Sequence, residues 1–226
     1  MKRMLLLAFS ICAFIATVQS QEIASETWID KPVLHTVDNN LKNESAILVF
    51  DKRRMEYIDV DKELTLYKTV HKIIHINDDK GIETFNKIYL PVTSNADIKA
   101  IKARTILPNG KIIELNEKNI KDLEEGDRIY KIFAMEGLEK GCEIEYYYTY
   151  KREVSFFGME IFQARFPVME SRMELVTPKR LVFETRTFNS SAKPSGSEET
   201  DKKWTIITEK NIPGPMKKNT ALIKLT

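Results

Sequence analysis

From Glu44 onward the apolar residues tend to fall at every second position in short runs, and each run is stopped by glycine, proline, asparagine, aspartate or a knot of charge. A period of two belongs to the strand, because successive side chains leave an extended backbone on opposite faces. The spacing predicts strands at 46–50, 54–60, 64–76, 82–90, 98–107, 111–115 and 128–134, then one entered through Gly141, then 161–166, 172–176, 181–188 and 203–208. Asn109-Gly110 between two alternating runs is a strong hairpin signal, with Gly110 expected at positive φ. The polar stretch 116–127 has room for one helical turn, and 189–201 reads as an exposed hairpin loop. Ten or more short strands with few long helical periods predict an all-β fold, an antiparallel β-sandwich with little helix.

Both ends of the chain read differently from this middle. Lys2 and Arg3 precede an apolar run from Met4 to Val18, and Val18-Gln19-Ser20 suits signal peptidase, so residues 1–20 are expected to be a signal peptide and the mature chain to begin at Gln21. The run is shorter than the roughly 20 apolar residues of a membrane span, so no span is expected after cleavage. Ile11 stands before Cys12 where lipidation wants a small residue. Residues 21–43 carry Trp28 and Pro32 but no sustained period and read as a strap along the domain, the sandwich proper being expected over 44–210. Two prolines and a glycine make 211–226 read as a linker.

Removal of residues 1–20 takes two of the 35 basic residues and none of the 33 acidic ones, which leaves the mature chain formally neutral. No basic stripe interleaved with aromatics supports nucleic-acid binding. Cys142 is the one cysteine of the mature chain, so no intrachain disulfide can form and the fold must rely on its core. Asn43-Glu44-Ser45 and Asn189-Ser190-Ser191 match the glycosylation sequon, a motif short enough to arise by chance. The abundance of Lys, Ile, Asn and Glu is common in AT-rich bacterial genomes.

Candidate sites are few. His71 and His75 are four apart, a zinc-ligand spacing on a helix, but the β-branched run around them predicts a strand, where they share a face about 13 Å apart and cannot share one ion. They are expected to be independent residues of a sheet surface or groove, with nothing to bring His35 or Cys142 to them. A nucleophilic Cys142 would need a base, and every histidine precedes it, whereas thiol enzymes of the papain and transglutaminase type run Cys, His, Asp or Asn. It reads instead as a small apolar side chain at a strand start. Asp122 with Glu124, Glu125 and Asp127 lacks the alternating oxygen ligands of a calcium loop and reads as a solvated turn. Tyr146 to Tyr150 could stack on a sugar if exposed, and otherwise belong to a sandwich core. No catalytic residue, cofactor-binding residue, metal ligand or cofactor is assigned.

Four segments taken in order, "ESAILVFD", "LYKTVHKIIHINDDKGIETFNKIYLP", "IKAIKARTILPNGKIIEL" and "EEGDRIYKIFAMEGLEKGCEIEYYY", resemble the uncharacterised β-rich domain found N-terminal to transglutaminase-like domains in bacterial envelope proteins. The resemblance runs over 44–152 and extends to 212. One departure is Cys142, where the family often has an acidic residue after the second glycine of "GLEKG". The resemblance implies a linker at 211–226 toward a C-terminal transglutaminase-like domain. It also implies a non-catalytic accessory module, exported to the periplasm or outer envelope, that positions the catalytic domain or its substrate. The alternative is a free-standing module that binds a glycan or an envelope protein.

Overall fold

The computed structural model describes residues 22–92, 97–126, 128–199, 201–214 and 222–225. The expected signal segment, Cys12 and the cleavage point before Gln21 lie outside the described residues, as does Asp127. The fold is all-β. In chain order the elements are β1 (Ala46–Val60), β2 (Glu63–Ile76), α1 (Asp79–Phe85), β3 (Lys87–Val92), β4 (Ile98–Ile106), β5 (Ile112–Glu114), β6 (Lys121–Glu125), β7 (Arg128–Ala134), β8 (Glu143–Arg152), β9 (Gly158–Ile161), β10 (Val168–Pro178), β11 (Thr185–Phe188), β12 (Ser195–Glu198), β13 (Lys202–Ile212) and β14 (Leu222–Leu225). Short 3-10 turns occupy Asn39–Leu41 and Glu117–Asn119. Among the described residues no helix is long and apolar enough to cross a membrane.

An eight-stranded sheet in the order β12-β13-β10-β1-β2-β8-β4-β5 dominates, with two three-stranded sheets, β3-β7-β6 and β11-β14-β9. Neighbours are antiparallel except β1 with β10, which run parallel from Leu48 beside Val168 to Glu56 beside Val176. One face of the large sheet is the core face: Leu48, Met55, Val70, Ile74, Ile144 and Tyr148 join Ile88 and Leu90 of β3 and Phe133 of β7 in one apolar cluster. The opposite face is charged and lies under the extended segment 22–37.

Three departures from the sequence reading have local causes. Asp51-Lys52-Arg53 does not break the chain, and β1 is one fifteen-residue strand. Alternation sends Asp51 and Arg53 to the core face, where they pair at 2.6 Å with Lys72 also on Asp51, and sends Lys52 and Arg54 to the strap face, where carboxylates await both. Asn77 to Gly81 is not a hairpin turn but the entry to α1: the Asp78 side chain accepts from the Gly81 amide at 2.9 Å and caps the helix, so the next strand starts at Lys87 instead of Ile82. The loop expected over 189–201 contains β12, whose Ser195 to Glu198 pair with Ile206 to Lys203. The Pro108-Asn109-Gly110 turn is present, with Gly110 at φ 81 as expected. Asn109 stays out of the left-handed region and the Gly110 amide bonds to the Leu107 carbonyl, so the link is an ordinary turn followed by a glycine bulge, not a primed two-residue turn.

Candidate functional site

The strap face is built by register. Pairing of β2 with β8 sets His71 opposite Tyr147 and His75 opposite Glu143, and pairing of β8 with β4 sets Glu145 opposite Arg104. On the other side of β2, Lys52 lies opposite His71, and β10 adds Arg172 and Glu174 beside Lys52 and Arg54. A row of charge thus crosses the sheet, and most of these side chains are buried because the strap lies over much of it, while Arg172 stays partly exposed. Glu26 reaches down from the strap to His71 Nδ1 at 2.8 Å, to Lys52, and to Arg54 at 3.4 Å. Glu145 takes His71 Nε2 at 3.0 Å on one oxygen and Arg104 Nε at 2.7 Å on the other. Trp28 of the strap lies with its ring centroid 4.0 Å from the Arg104 guanidinium carbon and 5.5 Å from the Tyr147 ring.

The strap is held through its main chain as much as through its side chains. The Ala24 amide donates to both oxygens of Glu56, at 3.1 and 3.0 Å, and the Ala24 and Ser25 carbonyls accept from Arg54. Lys202 donates to the Glu22 carbonyl at 3.0 Å. Ten residues after Ser25, the His35 amide and its Nδ1 each lie 2.9 Å from Glu143.

Protonation follows from this geometry. Carboxylates accept only, so His71, with one on each ring nitrogen, donates from both and is an imidazolium. Burial alone would drive its pKa down, but the hydrogen bonds to Glu145 and Glu26 outweigh burial and hold it above the ordinary value. Burial likewise opposes ionisation of Glu26 and Glu143, and is overcome by His71 and Lys52 for the first and by His35 and His75 for the second, so both sit below the usual carboxylate range. The hydrogen bond to Glu143 raises His35. His71 has no lone pair left with which to act as a base.

The residues singled out from sequence take these places. His71 and His75 do lie on one strand and one face, but they are not independent surface groups: His71 is 4% exposed, and His75 shares Glu143 with His35. The expectation that nothing gathers His35 to this region is therefore corrected, since the strap carries it there. Cys142 is fully buried, its thiol pushed up by burial. Tyr146, Tyr148 and Tyr150 face the core layer, where Tyr148 and Tyr150 stack at 5.8 Å, and Tyr147 lies under Trp28; they make no open sugar platform. Asp122, Glu124 and Glu125 form the exposed edge strand β6 rather than a turn, with Asp122 paired to Lys131. Among the described residues no group of three or more His, Cys, Asp or Glu is arranged to hold a metal ion. Glu26, Trp28, Arg104, Glu143 and Glu145 escaped the sequence reading. The available signal was the matched period of two in "HKIIH" and "EIE", which puts two histidines and two carboxylates on facing rows.

Beside the strap the charged face stays open as a pocket of about 560 Å³, with strap residues Glu26 and Ile29 on one side and Glu170, Arg172 and Lys210 of β10 and β13 on the other.

The sequence profile of a domain of unknown function with solved structures, DUF3857, matches residues 64–215, more than half of the chain. The chain belongs to the DUF3857 family. The crystal structure of a putative protease from Parabacteroides distasonis ATCC 8503 has a fold similar to this DUF3857 chain, with a TM-score of 0.68 at 14% identity, over 80% of this chain and 40% of that one. At that identity the likeness is one of fold, and the DUF3857 chain spans less than half the length of that protein. No curated protein matches it.

Proposed function

We propose that this DUF3857 domain is a non-catalytic, exported module of a larger envelope protein, one that positions a transglutaminase-like catalytic domain or its substrate. The observation that carries the reading is the state of His71. Its two nitrogens are both committed to carboxylates, and the only described cysteine is buried, so the chemistry on the strap face goes into holding a peptide segment rather than into activating a nucleophile. The likeness to 40% of a longer protein supports a role as one part of a multi-domain chain. Reading the gene past codon 226 tests the proposal: a domain with Cys, His and Asp in that order is expected, and a stop codon would overturn it. A stop codon would favour a free-standing binding module, for which the open pocket on the strap face is the specific observation.

A further inference from the structure

The pocket beside the strap shares its chemistry with the groove that the strap fills. Five main-chain groups of the strap show how this face reads an extended peptide: the carboxylates of Glu56 and Glu143 accept from the Ala24 and His35 amides, while Arg54 donates to the Ala24 and Ser25 carbonyls and Lys202 to that of Glu22. Two of the side chains that hold them, Lys202 of β13 and Glu56 of β1, form an ion pair at 2.8 Å across β10. Two further ion pairs flank the open half, one between β10 and β13 and one along β10. Glu170 and Lys210 are cross-strand neighbours 3.3 Å apart, and Arg172 lies 3.2 Å from Glu174, with its buried Nε making no hydrogen bond.

The floor between them is apolar and shaped by irregular backbone. Register shifts between Leu48 and Phe50, so the bulge at Val49 puts two consecutive side chains, Val49 and Phe50, onto the pocket beside Ile73 and Met169. At the rim Asn211 holds a left-handed backbone, φ 55, inside β13. Bulges and left-handed non-glycine residues recur where a surface is shaped for a ligand. Charges of both signs around the pocket rule against a strongly anionic or cationic ligand. Its volume suits a few residues of polypeptide with one large apolar side chain.

We infer that the open half of the strap face is a docking subsite for an extended polypeptide segment. One aliphatic or aromatic side chain rests on Phe50, Ile73 and Met169, and the main chain is read by Glu170, Lys210 and Arg172. In naming polypeptide as the ligand the inference rests on the reading of the domain as a positioning module. Its test is separate, since it needs only this chain.

The ¹⁵N-labelled mature chain is titrated with the blocked peptide acetyl-Ser-Ala-Phe-Ala-Ser-amide, with the same peptide carrying Gly for Phe, and with hexanoate. The Phe peptide is expected to give saturable shifts at Val49, Phe50, Ile73 and Met169 with a dissociation constant of about 1 mM, and the Gly peptide to bind about tenfold more weakly. Glu170→Ala with Lys210→Ala, both at the partly exposed rim, is expected to weaken the Phe peptide about fivefold while the rest of the spectrum is unchanged. Absence of saturation up to about 10 mM overturns the inference. So do equal binding of the two peptides, indifference to the double substitution, or binding of hexanoate alone, which would mark a small apolar site only. None of these results bears on whether a catalytic domain is encoded downstream.

Discussion

At Gly81 an added Cβ would stand 2.2 Å from the Ser45 carbonyl oxygen, while at Gly110 it would meet nothing within 4 Å. The first glycine is required for close approach of backbone, the second for its φ of 81. Gly110→Val is therefore expected to cost about 1 kcal/mol, from left-handed backbone alone. Gly81→Ala is expected to cost about 3 kcal/mol, because α1 must move off the chain before β1. Equal losses in urea melts would refute the distinction. Removal of the imidazolium between two buried carboxylates, His71→Ala, is expected to lower stability by about 3 kcal/mol, and a change below about 1 kcal/mol would show that the network carries little. At this scale the sequence was legible where a residue's own conformation decides, as at Gly110. It was not legible for Glu26 or Arg104, whose partners lie 45 and 41 positions away.

Strands β2, β7 and β8 could be read from β-branched and aromatic runs bounded by turn residues or charge, and elements that interrupt such runs with charge or a helix cap could not. β1 carries four consecutive charged residues, a pattern that normally marks a turn, and remains extended because each of its faces offers partners for them. Helix α1 was hidden because Ile82 and Phe85 sit in a stretch continuous with a β-branched run, and the deciding signal was the Asp78 cap. The strap has no period at all: its conformation is set by the sheet beneath it. Trp28→Ala removes its packing on Arg104 and Tyr147 and is expected to speed amide exchange at Ala24 and His35, leaving the paired amides of β1 and β2 unchanged. Uniform acceleration across the sheet would mean that the strap and sheet open as one unit.

For the molecule as a whole, docking of the strap is tied to pH by groups on the strap and on β1, β2 and β8. His71 faces Glu26 of the strap, Glu145 of β8 and, across the same face, Lys52 of β1, and His35 faces Glu143. The histidines His35 and His71 are raised above 6.5, so their contribution is complete below that value and is lost as pH rises through their folded pKa values. Glu26 and Glu143 are held below 4.5, so theirs is present above that value and is lost as pH falls through their folded values. The urea midpoint is expected to peak between those two reference values and to decline toward alkaline pH, with the alkaline decline reduced in His71→Gln. A midpoint that climbs steadily from mildly acid to alkaline pH would contradict the arrangement.

The parallel pairing of β1 with β10 joins residues more than a hundred positions apart, such as Leu48 and Val168. The β1–β2 hairpin closes over a two-residue link and can form early, whereas β10 and β13 must be delivered from the far end of the chain before the large sheet is complete. Lys202, which holds the Glu22 carbonyl across 180 positions, belongs to that late delivery. The first described segment of the chain is therefore the last to find its place. In pulsed hydrogen exchange during refolding, the Ala24 amide is expected to gain protection after the β1–β2 amides, and simultaneous protection would show that the strap docks before the sheet is whole.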